Sequence, residues 1–339
     1  MTANQRLHAL TGIATTQHFL VDGICACCLY QLQSLPMDVR CVMAMFVVYN
    51  VLAFLTQPLT GHLADRARNR HWLLLLSVAL LALATLTAAV VLTVGASSMM
   101  AVYGVCMLLG IGNSLFHVWG GKQVAEATAN DIRFVGLFVS TGAMGLAVGV
   151  VFCSWPLLFV LLLFLACLSA VFVLRSPSGA ALAMDRPLPR HRFDRWAEVR
   201  SAQGVGLGLA WLVVLGLMVM VLLRSMLGGQ FTMYMTGAGA WPVFLTVGGV
   251  SMLGKMAGGW LARGLGIVAL LVLVLLVVAG CYVCRPVAGM PVMLTGLFAV
   301  NCTMPVTLYL AQAAMRGREG LAFGLLAAAL IPGYLLALL

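Results

Sequence analysis

Six side chains stand where charge or strong hydrogen-bonding capacity is costly. His18, Asp22, Asn113, His117, Arg224 and Lys255 all fall inside long apolar runs. An ionisable group held in lipid costs about 2.5 kcal/mol or more unless it is paired or hydrated, so such groups mark solute paths and proton relays. His18 and Asp22 are four residues apart and share one face of a helix, as do Asn113 and His117. At a rise of ~1.5 Å per residue, Asp22 lies about 21 Å and Arg224 about 25 Å from one end of their respective runs. These two opposite charges therefore reach similar depth. Asp22 is a candidate proton-coupling group, and Arg224, which does not readily give up its proton, suits an anionic or zwitterionic solute. His18 and Asn113 fall near mid-depth, and His117 closer to the inner end. Gln230, Asn301, Thr303, Thr307 and Gln312 add polar candidates for solute contact. Plainer roles compete with each: Asp22 ordering its own helix, the histidines packing through hydrogen bonds, Lys255 snorkelling to the surface.

The elements that position these residues are long and apolar. The chain has 339 residues, 63% hydrophobic and only 8% charged. Soluble domains carry roughly 25% charged residues, so lipid is the solvent this composition requires. Eleven stretches of helical length are expected to cross the bilayer: 8–33, 40–62, 72–94, 98–121, 132–152, 155–174, 207–232, 241–262, 265–284, 288–312 and 320–338. A β-barrel is excluded, because barrel strands alternate in polarity and run only ~10 residues.

Lysine and arginine orient the spans. With the N-terminus inside, fifteen of the nineteen basic residues fall in inner segments, Arg40 and Arg285 fall outside, and Arg224 and Lys255 lie within spans. That asymmetry predicts a cytoplasmic N-terminus; the expected location is a prokaryotic inner membrane. The net charge of +10 is distributed in these short clusters, so nucleic-acid binding is not expected. The first apolar run, with His18 and Asp22 inside it, reads as a retained helix rather than a cleaved leader. The ten cysteines are mostly single residues within apolar runs, and Cys25, Cys27 and Cys28 do not have zinc spacing. No metal site, disulfide framework or cofactor is expected. No phosphate-cradling loop or nucleophile–base pair stands out, so neither ATP-driven transport nor an enzyme is expected.

Residues 176–205 are rich in Pro, Arg and Asp and read as a cytoplasmic linker. They divide the chain into a first half at 1–175 with six spans and a second half at 206–339 with five. A weak repeat joins the halves: Gly61-His-Leu-Ala-Asp65 ends the second span and Gly259-Trp-Leu-Ala-Arg263 ends the eighth. Parallel repeats of this kind build transporters from two rocking halves around a central site.

The stretch Gly61-His-Leu-Ala-Asp65-Arg66-Ala-Arg68-Asn-Arg70 resembles the loop signature between the second and third helices of the major facilitator superfamily. Arg68 stands where that signature has Gly, and Arg263 stands where the second copy often has Asp. Gln17–Asp22, Gly110–His117, Ser140–Gly145 and Gly317–Ala322 resemble the fosmidomycin-resistance branch. Val118 replaces a Pro there, and the fifth span lacks the Pro of the antiporter-type glycine motif. The resemblance implies an all-α two-bundle membrane protein of about 11 helices, with the twelfth span of the superfamily apparently missing. It implies a gating loop at Gly61, Asp65, Arg66, Arg70, Gly259 and Arg263. Asp65 stands at a helix C-terminus, where the dipole disfavours an anion. It needs compensation from Arg66, from Arg70, or from another helix N-terminus near Gly320. The resemblance also implies an outer gate where helices 1 and 7 bring Asp22 and Arg224 together, either as an ion pair or across one water-filled cavity. The expected protein is a monomeric secondary transporter of a small solute by alternating access, proton-coupled, with a drug or metabolite exporter as one form. The alternative is a non-transporting receptor or assembly protein on the same scaffold.

Overall fold

The computed structural model describes residues 3–67, 69–94, 98–176, 207–236 and 241–337. The expected linker lies almost wholly outside them. In a medium without water every backbone N–H and C=O must be satisfied internally, and each apolar run answers with a helix. The first half contains α1 (Ala3–Leu32), α2 (Val39–Asn50), α3 (Gln57–Arg66), α4 (His71–Val94), α5 (Met99–Ala127), α6 (Ile132–Val151) and α7 (Trp155–Arg175). The second contains α8 (Leu207–Thr236), α9 (Trp241–Leu265), α10 (Ile267–Asn301), α11 (Thr303–Ala314), α12 (Glu319–Ala328) and α13 (Leu330–Ala337).

Nine helical stretches among the described residues are long and apolar enough to cross a membrane, against eleven expected. The other two expected spans are also helical. One is α9, in which glycines, Lys255 and Arg263 interrupt the apolar run, and the other is the shorter stretch Glu319–Gly333. Four breaks have local causes. Pro58 stands at the start of α3, where its ring conflicts with the carbonyl one turn back. Val51–Leu55 opens into a π-helical turn there, and Thr56 Oγ1 and Gln57 Nε2 donate to the Leu52 and Ala53 carbonyls at 2.5 and 2.8 Å. Gly289, at φ 65°, divides α10 at the turn between two spans. Pro305 and Pro332 each follow a helix break by a few residues, at Cys302 and Ala329.

The two sets of helices make a two-bundle architecture. In the first, α1 packs on α5, α6 and α7, and α4 on α5 and α7. In the second, α8 packs on α10, α11 and α13, and α9 on α10 and α11. The bundles meet along two main seams, α6 on α9 and α3 on α12. Close approach at the second seam depends on glycine: a Cβ on Gly61 would collide with the Gly320 carbonyl, and one on Gly324 with the Gln57 carbonyl. Among the described residues α1 and α8, the pair expected to close the opposite end, make no extended contact. α1 is the most enclosed span, which is why its polar side chains need partners from other helices.

Candidate functional site

α1 turns His18 and Asp22 toward α5 and α6. His18 Nδ1 lies 2.6 Å from the Phe138 carbonyl of α6. His117 Nδ1 lies 3.0 Å from the Asn113 carbonyl one turn earlier on α5. The two Nε2 atoms face each other at 2.8 Å. Asp22 completes the group, with Oδ2 3.3 Å from His18 Nε2 and Oδ1 3.5 Å from His117 Nε2. Asn113 Nδ2 donates to Asp22 Oδ1 at 3.0 Å. All four residues are buried. The triangle fits only because residue 142 is glycine, since a Cβ there would overlap Asp22 Oδ2 and His18 Nε2.

This group lines one wall of a cavity between the bundles. Its volume is about 180 Å³, room for roughly six waters at ~30 Å³ each or for a small solute. α2, α3 and α6 add Tyr49, Asn50, Gln57 and Gly142, and the second half adds Arg224, Lys255, Thr307 and Phe323. Arg224 donates to Thr307 Oγ1 at 3.2 Å. Among the described residues no ion pair or hydrogen bond joins Arg224 to Asp22, and none reaches Lys255. Asp22 and Arg224 thus line one cavity rather than forming a salt bridge, because the histidines already surround the carboxylate. His117, which simple depth placed toward the inner end, and Lys255, for which snorkelling to the surface was the competing role, both line this cavity. Asn113 supports Asp22 from behind. Gln230 and Asn301 are not among the lining residues, and Asn301 donates to the Leu297 carbonyl of its own helix.

Ionic contacts join the bundles where α3 and α12, which give Gln57 and Phe323 to the cavity lining, come together. Asp65 Oδ1 accepts from Lys122 Nζ at 2.7 Å and from Gly320 N at 2.9 Å, and Oδ2 accepts from Leu321 N at 2.9 Å. The carboxylate of α3 therefore sits on the N-terminus of α12, where free N–H groups and the helix dipole favour an anion. Lys122 also pairs with Glu126 at 2.8 Å and Glu319 at 3.3 Å. Of the partners expected for Asp65, Arg66 is exposed and Arg70 pairs with Glu126 instead. The helix terminus and the buried Lys122 compensate Asp65. Lys122, counted among the inner basic residues by position, is enclosed by three carboxylates.

The second copy of the loop signature makes the corresponding contact with charges reversed. Gly259 of α9 lies against the Ile132 carbonyl of α6. Arg263 donates to Asp131 Oδ2 at 3.1 Å, and Asp131 caps α6 by accepting from Arg133 N at 3.0 Å. Arg133 also reaches Asp131 Oδ2 at 2.6 Å. In the first seam the acid belongs to the loop signature and caps a helix of the other bundle. In the second the acid caps its own helix and binds the arginine of the signature. Arg263 in place of Asp is thus matched by Asp131. Sequence reasoning missed Asp131, Glu126 and Glu319, and their acidity near inner helix ends was the available signal.

Comparison with known proteins agrees with this architecture. A family model described as Major Facilitator Superfamily matches residues 19–337. Among solved structures, the major facilitator transporter FucP in the outward conformation is 11% identical, with a TM-score of 0.68 over 96% of this chain and 89% of that one. A second structure, of the E. coli fucose:proton symporter FucP, is 13% identical with a TM-score of 0.64 over 96% and 89%. The human organic anion transporter MFSD10 is 17% identical with a TM-score of 0.62 over 98% and 92%. At these identities the likeness concerns the fold. No protein of curated function matches the chain in sequence. The family model covers nearly the whole chain, and this multi-pass, non-enzymatic chain belongs to the major facilitator superfamily of transporters.

Proposed function

We propose that the chain moves a small anionic or zwitterionic solute across a prokaryotic inner membrane by alternating access, in exchange for or together with H+. The observation that carries this reading is the cavity between the bundles, with His18, Asp22 and His117 on one wall and Arg224 and Lys255 on the other. Uncompensated cations in an apolar interior are expensive, and an anionic solute group offsets them. Organic anions and a fucose–proton pair are what the similar structures are named for, which accords with this chemistry. The halves 1–175 and 206–339 act as the two rocking bodies, joined by 176–205. Asp65, Lys122 and the α12 N-terminus form the latch at the basic-loop end. With the N-terminus cytoplasmic, this reading assigns the latch to the cytoplasmic end and turns the cavity outward. A receptor on the same scaffold has no need of five ionisable groups around a central space. The test is flux in proteoliposomes under an imposed pH gradient, with solutes chosen by a thermal-shift screen of small carboxylates and amino acids. Stabilisation by a solute followed by gradient-driven uptake is expected, and it should fall at least tenfold in Asp22→Asn. No flux of any stabilising solute, or full pH-driven flux by Asp22→Asn, contradicts the reading.

A further inference from the structure

The His18–Asp22–His117 triangle contains more acceptors than the chain supplies donors for. The Phe138 and Asn113 carbonyl oxygens only accept hydrogen bonds, so each histidine carries its hydrogen on Nδ1. In a neutral ring Nε2 is then a bare lone pair. Two such nitrogens meet at 2.8 Å, with the carboxylate oxygens of Asp22 at 3.3 and 3.5 Å. Asn113 Nδ2 donates to Asp22 from outside the triangle and places no hydrogen inside it. With both rings neutral, three electron-pair donors converge and no donor hydrogen stands between them.

A metal ion satisfies all three at once. The ligating atoms lie within 4.8 Å of one another. Ligands at ~2.05 Å on a tetrahedron stand about 3.3 Å apart. Each Nε2 stands at about this spacing from one Asp22 oxygen, His18 from Oδ2 and His117 from Oδ1; the carboxylate would turn to offer one oxygen to the ion, and the histidine pair would open by roughly half an ångström. Backbone carbonyls on both Nδ1 atoms are the outer contacts that orient metal-bound imidazoles. Two imidazoles and one carboxylate select a first-row divalent metal over Ca2+ or Mg2+, which prefer all-oxygen sets. Three protein ligands leave at least one coordination position open. His18, Asp22 and His117 all line the cavity, so that open position has a path to it. The same cavity holds Arg224 and Lys255. A dication beside them calls for carboxylates on the solute that can bridge the ion and the two basic groups.

We propose that His18, Asp22 and His117 bind a divalent transition-metal ion, and that the anionic solute enters the cavity as a chelate of that ion. This rests on the reading of the cavity as a transport cavity and specifies its substrate class. The experiment has two arms, both on the full chain purified with a tag that contains no histidine. In the first, Co2+ alone is titrated into detergent-solubilised protein and followed by visible absorption and elemental analysis. One Co2+ per chain is expected, with ligand-field bands of mixed nitrogen and oxygen ligation. Affinity should fall at least 100-fold in His117→Ala and in Asp22→Asn, each checked for folding by size-exclusion profile. Absence of a stoichiometric Co2+ in the wild-type protein overturns the proposal without recourse to any variant, as would a site unaffected by both substitutions. In the second arm, labelled citrate flux into proteoliposomes is measured with and without Co2+. Metal-stimulated uptake supports the chelate. Uptake of citrate indifferent to Co2+ removes the metal from the substrate while leaving the transporter intact. Tight Co2+ binding with no flux of either component keeps the site and counts against transport.

Discussion

Replacing Asp65 by Asn tests the latch with almost no change of shape. Asp65 accepts three hydrogen bonds, from Lys122 Nζ, Gly320 N and Leu321 N. Its side chain is only 5% exposed, so water does not replace them. A hydrogen bond to a charged group contributes about 1.5–3 kcal/mol. Asparagine keeps one acceptor oxygen but turns an amide toward at least one of the three donors. It also removes one of the three negative charges around Lys122. The closed arrangement of α3 on α12 should therefore lose about 2–4 kcal/mol relative to one in which they separate. At ~1.4 kcal/mol per decade this shifts the ratio of the two states by about 30- to 700-fold. Conformers of such proteins differ by only a few kcal/mol, so the shift should be visible. Spin labels at the exposed positions Leu63 and Arg316 report the opening directly. They would be placed in a background lacking the more accessible Cys41, Cys153, Cys167 and Cys284. A second, longer distance population is expected in Asp65→Asn, together with reduced flux. An unchanged distance distribution with full transport would show that this contact does not hold the end closed.

Three further outcomes follow from the same contacts. Gly142→Ala places a methyl group into Asp22 and His18; overpacking of this kind costs about 1–3 kcal/mol. Solute-dependent thermal stabilisation should therefore weaken at least tenfold while the helical content by circular dichroism is unchanged, and undiminished stabilisation would contradict the observed seating of the triangle. Lys122→Met strands Asp65, Glu126 and Glu319 beside one another. Breaking a buried pair from one side costs about 3–5 kcal/mol, so a large drop in melting temperature is expected, partly restored by adding Asp65→Asn; additive losses would refute the shared network. Asp131→Ala removes the cap of α6 together with the partner of Arg133 and Arg263. It should cost about 1–2 kcal/mol, more than Arg263→Ala, in detergent unfolding, and the reverse order would place the weight on the tie between bundles.

Much of the fold was legible because lipid imposes a one-dimensional rule. A run of apolar residues must be helical to satisfy its backbone, whatever it packs against. The eleven expected segments are helical for that reason, and the Gly61–Asp65 signature marked the seam of α3 on α12. The internal breaks were less visible. Pro58 signals the π-helical turn at Val51–Leu55, but a hydropathy reading passes over it, since one proline in an apolar run barely changes the mean. The site was half legible. Residue spacing set His18 beside Asp22, and Asn113 beside His117, because a helix repeats every 3.6 residues.

What brought those two pairs together was tertiary packing. His18 and His117 are 99 positions apart, and no periodicity relates them. Their contact depends on how closely α1, α5 and α6 approach, and Gly142 sets that approach by leaving room for two side chains. The same holds for charge. The sequence alone established that Asp22, Asp65 and Arg224 each required a partner or water, since an uncompensated charge in an apolar run or at the wrong helix end is costly. It did not establish which partner. Asp65 found a helix end and a lysine, Asp22 found two imidazoles, and Arg224 faced a cavity. Burial is a property of each residue and is written along the chain. Pairing is a property of two surfaces in contact and exists only once the helices have packed.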